Sequence, residues 1–213
     1  MVKSSHDKAP VLFIQFARAP VLGSVKTRLR PAISSTQALA LHLQLLRRTA
    51  ITLLDSGLAE VELWLSDTSH HPDITALAAK GLPTRVQSGE GLGQRMCAAI
   101  SAGLSGADKV VLVGSDCPGI DSNYLKEALA ELETNDVVLG PASDGGYVLI
   151  AARRCSHKLF ANVNWGSEWV LQQTISNLET LGWTYSLLEV LDDIDRPEDL
   201  ALLATFGMAV SGE

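Results

Sequence analysis

At 213 residues, 46% of them hydrophobic and 19% charged, the chain is long enough for one substantial core and too apolar for a disordered polymer. A formal net charge of -7 argues against general nucleic-acid binding, and no uncharged apolar run reaches the length of a membrane helix. The three cysteines, Cys97, Cys117 and Cys155, match neither a CxxC nor a zinc spacing, which suits a reduced, cytoplasmic setting better than a disulfide framework.

Residues 1–9 are polar and expected to fray. Residues 11–17 form an apolar run that is too short for a signal peptide and contains Gln15; they read as a first strand. The loop that follows, residues 18–31, concentrates positive charge. No Asp or Glu occurs between Lys8 and Leu54, yet seven of the 17 Lys and Arg fall there, among them Arg18, Lys26, Arg28 and Arg30. Leu39, Leu43, Leu46, Ala50 and Leu53 stand at helical spacing and predict a helix over 36–54, ended by Gly57. Residues 60–66 (EVELWLS) alternate and read as a strand nearer an edge. A short helix over 73–79 and a strand over 83–87 follow. The glycine-rich SGEGLGQ, residues 88–94, then leads into a helix over 95–104.

The organising stretch is DKVVLVGSDCPGID, residues 108–121. Its apolar run at 110–114 lacks polar alternation, as expected of a strand buried on both faces of a parallel sheet. Asp116 emerges where that strand ends, and ligands of open α/β sheets bind just beyond the carboxyl ends of strands. A helix over 122–133 is expected, with Asp121 as its N-cap. Residues 136–139 read as a strand. The Asp-Gly turn within 140–146 favours an antiparallel return into a strand over 147–152. A helix over 167–181, a strand over 183–190 and a helix over 197–205 complete the chain, with residues 207–213 expected to fray. The alternation predicts a single α/β domain over 1–213, with a mostly parallel sheet and one antiparallel excursion.

Several stretches carry candidate chemistry. A turn containing Gly23, followed by Lys26 and Arg28 two residues apart, can wrap a diphosphate with backbone N–H groups and fixed cations. With no acid nearby to pair those cations, phosphate binding is favoured over a merely solvated loop. Val25 stands where a Walker A motif needs glycine. Gly89, Gly91 and Gly93 miss the Rossmann spacing, because Gln94 and Met96 occupy the possible third-glycine positions. They either turn the chain into its helix or let a nucleotide approach the backbone. Asp116 is a candidate metal or catalytic acid, since Asp121 already suits the cap, and Pro118 excludes the second acid of a haloacid-dehalogenase pair. Asp144-Gly145-Gly146 reads equally as a plain turn or as a functional one. Asp195-x-x-Glu198, with Pro197 between them, suits a capping box, yet a capping carboxylate keeps one oxygen free to share a divalent cation with Asp116. His70, His71 and Trp64 need no function.

Taken in order, ARAPVLGSVKTRL, GEGLGQRM, VGSDCPGI, GPASDGGYVLI, WGSEWVL and DDIDRPEDL resemble an uncharacterised bacterial group of transferases. That group belongs to the GT-A-type nucleotide-diphospho-sugar transferase superfamily, akin to phospholactate and molybdenum-cofactor guanylyltransferases. The resemblance spans residues 11–206. It implies a GT-A, Rossmann-like α/β/α sandwich that binds a nucleotide or nucleotide sugar, with Mg²⁺ or Mn²⁺ bridging the phosphates. Carried over by motif, Arg18, Gly23, Lys26 and Arg28 would contact phosphates, with Ser115 at the same site. Gly91, Gly93 and Arg95 would lie near base or ribose. Asp116 and Asp195 would hold the metal, with Asp193 in reserve, and Lys26, Arg28 and Asp116 would be the catalytic groups. Asp144, Gly145, Gly146 and Tyr147 would border the pocket of a small-molecule acceptor. The segment Ser115-Asp116-Cys117 departs from the Asp-x-Asp pair common in glycosyltransferases, and no residue is an evident general base. The implied activity is glycosyl transfer from a nucleotide sugar. Nucleotidyl transfer with release of pyrophosphate leaves nearly the same imprint, and a non-catalytic nucleotide-binding protein is the alternative of another class. Oligomeric state leaves no mark in the sequence.

Overall fold

A computed structural model of the chain describes residues 9–210. The central strands form where apolar residues dominate the sequence. β1 (Ala9–Ala17) and β4 (Ala107–Gly114) pair in parallel, from Ala9 opposite Ala107 to Phe16 opposite Gly114. They lie inside a seven-stranded sheet of order β3-β2-β1-β4-β6-β5-β7, completed by β2 (Glu60–Leu65), β3 (Thr84–Val86), β5 (Val137–Pro141), β6 (Tyr147–Ala152) and β7 (Tyr185–Leu187). β6 runs antiparallel to both β4 and β5, while the other pairings are parallel. The Asp-Gly turn thus returns the chain as expected, and the returning strand inserts between β4 and β5.

Successive strand residues point to opposite faces, so two apolar layers form. Phe13, Val111, Val113, Leu149 and Ala151 face one side. There they meet Leu46 and Leu53 of α1 (Ser35–Asp55), Ile74 and Leu77 of α2 (Pro72–Ala79), and Leu125 of α4 (Ser122–Glu131). Ile14, Val110, Leu112 and Ile150 face the other side, against Met96 and Ile100 of α3 (Leu92–Gly106) and Leu178 of α5 (Val170–Leu181). The result is the expected α/β/α sandwich. Each such side chain, fully buried, contributes roughly 1.5–3 kcal/mol relative to exposure.

Helix ends follow local chemistry. The Ser34 hydroxyl accepts from Gln37 N while the Gln37 side chain accepts from Ser34 N, a capping box that starts α1. Asp121 caps α4 as expected, accepting from Asn123 N at 2.9 Å and Tyr124 N at 2.8 Å. Several boundaries differ from expectation, among them that of α5, which begins at Val170 and not at 167. α3 begins at Leu92, with Gly91 as its extended N-cap, so the glycine-rich stretch already contains the first helical turn. The strand expected over 183–190 is confined to β7, with one further parallel bridge between Leu191 and Ala142. The last helix is a 3-10 helix, Pro197–Phe206, and its cap is displaced by one residue. Asp199 accepts from Asp195 N at 2.9 Å and Arg196 N at 2.6 Å, so the Asp195 carboxylate is not consumed in capping.

Of the residues expected to fray, 1–8 and 211–213 lie outside the described residues, whereas Ala9 opens β1 and Gly207 caps the last helix. Met208 and Val210 pack against a small cluster of Leu29, Leu41, Leu45, Ile194 and Leu203. That cluster ties the first loop to the acidic run near the end of the chain. Among the described residues no helix is long and apolar enough to cross a membrane. Asp121→Ala is expected to cost about 1 kcal/mol through loss of the α4 cap, read as a lowered urea midpoint with an unchanged m-value.

Candidate functional site

Strand order reverses between β1 and β4, since β2 and β3 extend the sheet one way from β1 and β4 begins the other side. Loops leaving two such strands diverge and open a crevice at their carboxyl ends. The loop after β1 is fixed by two apolar anchors, Val25 and Leu29, both buried. Between them Lys26 adopts a left-handed conformation (φ 49) and starts the short 3-10 turn Thr27–Leu29. This placement turns the Lys26 side chain inward and leaves that of Arg28 at the surface.

Lys26 Nζ lies 2.7 Å from Asp116 Oδ1, with the Lys26 side chain 3% exposed and that of Asp116 46% exposed. The ammonium also donates to the Ile194 carbonyl, and Ile194 N donates to the Asp116 carbonyl at 2.9 Å. Three segments distant in sequence therefore meet at one buried cation. Burial, the largest single influence, works against ionisation of Asp116, but the charges of Lys26, His42 and Arg18 and the Lys26 hydrogen bond together outweigh it and hold the carboxyl below its ordinary pKa. One carboxylate oxygen is thus spent on Lys26 while the rest of the group faces the cleft.

Ile194 is fully buried, so its neighbours Asp193 and Asp195 are turned toward the cleft they both line. Asp195 Oδ2 pairs with Arg28 at 2.6 Å, and this keeps the guanidinium pKa above its usual value. Asp193 is pushed up to about 6, by burial first and then by the carboxylates of Asp144, Asp116 and Asp195. The cleft encloses about 810 Å³, and its wall includes Arg18, Lys26, Arg28, Gly91, Arg95, Ser115, Asp116 and Asp195. A second cavity of about 630 Å³ shares Arg28, Asp193 and Asp195 with it and continues to Ser143, Asp144, Ser167, Glu168, Arg196 and Asp199.

Other expected site residues have structural work instead. Gly23 sits at φ +80 in the turn Val21–Ser24, and its carbonyl accepts from the Arg30 guanidinium; it does not line the cleft. Gly93 is buried inside the first turn of α3, where a Cβ would lie 2.9 Å from the Trp165 ring. Its lack of a side chain serves packing against Trp165 and Phe160. Ser115 reaches the cleft floor, but its hydroxyl is engaged, donating to Phe16 O at 2.8 Å and accepting from Gln15 Nε2 at 2.9 Å. Gly145 has φ +87, and a Cβ there would lie 2.2 Å from Glu168 O, so only glycine fits the contact. Gly146 N donates to Asp144 Oδ1 in the same turn. Tyr147 turns away from the second cavity, edge-on to Trp165 with its hydroxyl buried beside Thr174, and burial raises its pKa. Of the four expected acceptor residues, Asp144 alone lines that cavity.

Four residues of the cleft wall carried no clear sequence signal: His42, Asp67, Gln87 and Glu90. His42 belongs to the buried stripe of α1, with Nε2 3.0 Å from the Arg18 carbonyl, and burial depresses its pKa. Gln87 Nε2 donates to Trp64 O at 2.9 Å and Ala17 O at 3.2 Å, closing the exits of β1 and β2. Among the described residues no three His, Cys, Asp or Glu side chains gather at metal-binding distance.

A family model described as an uncharacterized protein conserved in bacteria (DUF2064) matches residues 49–167, more than half of the chain. No curated protein matches. Among solved structures, a candidate nucleotide-diphospho-sugar transferase from Desulfovibrio desulfuricans G20 is 27% identical with a TM-score of 0.81, over 92% of this chain and 87% of its own. A CMP:2-keto-3-deoxy-manno-octonic acid synthetase complexed with CTP is 13% identical with a TM-score of 0.59, over 92% and 99%. Glucosyl-3-phosphoglycerate synthase from Mycobacterium tuberculosis, complexed with Mn²⁺, UDP and glucosyl-3-phosphoglycerate, is 15% identical with a TM-score of 0.53, over 96% and 82%. At these identities the last two likenesses concern the fold. Lys26→Met removes the cation that joins the three segments. Because Asp116 is half open to water, the expected stability loss is roughly 1–3 kcal/mol, below that of a fully buried pair, and is measured by chemical denaturation.

Proposed function

This chain belongs to the DUF2064 family of bacterial proteins, and from that premise we propose that it is a divalent-metal-dependent transferase acting on a nucleotide-diphospho-sugar. The enzyme class is that of the transferases, in accord with the 27% identical neighbour. The observation that carries the reading is the Asp116 carboxylate. One oxygen is pinned by a buried lysine, and the group otherwise opens to a cleft at the reversal of strand order.

The residues present fit a Mg²⁺ or Mn²⁺ ion. Mg²⁺ is commonly held by one or two carboxylates plus substrate phosphates, so three converging protein ligands are not required. Asp116 and the Asp195 oxygen not taken by Arg28 would hold it, with Asp193 beside them. When bound, the cation neutralises charge that develops on a diphosphate leaving group. Arg18 and Arg28 supply fixed positive charge along the same wall, and Arg95, its Nε anchored on Gly89 O at 3.0 Å, lies at the end formed by α3. Lys26 acts as a positioning residue. It fixes Asp116 and the acidic run, with its ammonium shared between a carboxylate and a carbonyl.

The second cavity would take the acceptor. Its wall carries Asp144, Glu168, Asp193, Asp195 and Asp199 against Arg28 and Arg196, and Arg28 is already paired. Such a wall disfavours a phosphorylated acceptor and suits a hydroxyl-bearing one, which favours glycosyl over nucleotidyl transfer. The kinship with guanylyltransferases expected from the sequence would instead require an anionic acceptor phosphate in this space.

The test is a thermal-shift panel of nucleoside-diphosphate sugars and nucleoside triphosphates, with and without Mg²⁺ or Mn²⁺. A metal-dependent rise with a diphospho-sugar, abolished together with turnover in Asp116→Asn, is expected. A triphosphate-dependent rise accompanied by pyrophosphate release would replace the reading with nucleotidyl transfer. Nucleotide binding indifferent to metal and to Asp116→Asn would point to a non-catalytic binding protein.

A further inference from the structure

Away from the cleft, two thiols that the transfer reaction does not use lie side by side. Cys97 projects from α3 and Cys155 from the segment between β6 and the 3-10 turn His157–Phe160. Their sulfurs are 3.6 Å apart across 58 residues of sequence, and Cys155 Sγ also lies 3.7 Å from the Cys97 carbonyl. Both side chains are half-buried free thiols, whereas Cys117 is 2% exposed. A disulfide needs the sulfurs about 2.05 Å apart, a closure of roughly 1.5 Å that small rotations about the two Cα–Cβ bonds can supply.

We propose that Cys97 and Cys155 are an oxidative modification site, forming an intramolecular disulfide when the protein meets a peroxide. The Cys97 thiolate attacks a peroxide oxygen and expels hydroxide, leaving a sulfenic acid. The Cys155 sulfur then attacks Cys97 sulfur, and the sulfenic oxygen leaves as water. Two thiols and one hydrogen peroxide thus give one disulfide and two waters. The order follows from the surroundings. Burial pushes the Cys155 thiol up, with the neighbouring Cys97 charge adding to the shift, which disfavours Cys155 as the first nucleophile. Conversion of Cys97 to a sulfenic acid removes that opposing charge.

The site bears on the cleft through α3. The first turn of this helix supplies Gly91, Leu92 and Arg95 to the cleft wall, and Cys97 follows two residues after Arg95. The segment after β6 presents Phe160 to Gly93 on the same helix. The bond would staple the cleft-forming helix to the segment that follows β6. In a reducing compartment such a pair is open by default and closes only under oxidant. The proposal stands independently of the transferase reading, because it concerns sulfur chemistry alone.

The experiment treats the intact chain with hydrogen peroxide, blocks remaining thiols, and maps peptides by mass spectrometry without reduction. The expected result is a Cys97–Cys155 linked peptide, two hydrogens lighter than the reduced pair, in monomeric protein. The thermal midpoint should rise by roughly 5 °C or more, return on treatment with dithiothreitol, and stay unchanged in peroxide-treated Cys155→Ser and Cys97→Ser. Recovery of both residues as blocked thiols or as sulfinic acids would overturn the proposal. So would cross-links only to Cys117 or only between molecules.

Discussion

A buried ammonium is expensive unless it is fully paired, and Lys26 makes the site depend on that requirement. Its side chain is withdrawn from water and satisfied by Asp116 at the end of β4 and by the Ile194 carbonyl in the acidic run. Neither partner is near it in the chain. The demand for satisfaction therefore holds three segments together, and the apolar cluster around Leu29, Leu41 and Ile194 seals the same junction from below. Hydrophobic packing positions these segments to within a side chain's reach, and the cation sets which atoms face the cleft.

The electrostatic layout follows from that junction. Most basic residues of the cleft come from the loop after β1, where the sequence holds no acid, joined by Arg95 of α3; most of the acidic ones come from the end of β4, the turn after β5 and the run that carries Ile194. The cleft is mixed in sign and the second cavity is predominantly acidic. Asp193 lies where both meet and feels the three other carboxylates around it. Lys26 and Arg28 offset two of these carboxylates, Asp116 and Asp195, and the divalent ion proposed above would relieve the repulsion that remains at Asp193.

Much of the architecture was legible in the sequence. Unbroken apolar runs marked the central strands, helical spacing marked α1, and the Asp-Gly turn marked an antiparallel return. The insertion of β6 between β4 and β5 was not legible, because strand order depends on long-range packing and not on any local pattern. At the site, Asp116, Lys26 and Arg28 could be picked from their place after apolar strands. What each does could not. Lys26 was expected to contact phosphate, and the structure shows it also as an internal clasp on Asp116, because the flanking Val25 and Leu29 turn it inward. Gly93 and Gly145 resembled ligand-binding glycines and serve close packing against Trp165 and the Glu168 backbone. Tyr147 looked like an acceptor contact and belongs to the apolar layer around Trp165. His42 was hidden for the opposite reason, since a histidine within a leucine stripe carries no signal until the fold brings the Arg18 carbonyl and Asp116 beside it.

The placement of β6 also governs the order in which the molecule can be assembled. Emerging from the ribosome, β1 to β4 can pair among themselves, which leaves β4 as an edge whose Val110–Val113 register positions await β6. An apolar strand edge of that kind is a template for pairing with other chains until it is covered. The junction at Lys26 closes later still, because its partner carbonyl lies 168 residues downstream. Contacts of such separation form slowly, after the intervening chain has been ordered. The candidate site is thus completed last, and a chain interrupted before the acidic run would hold most of its core while lacking Asp193, Ile194 and Asp195 at the cleft.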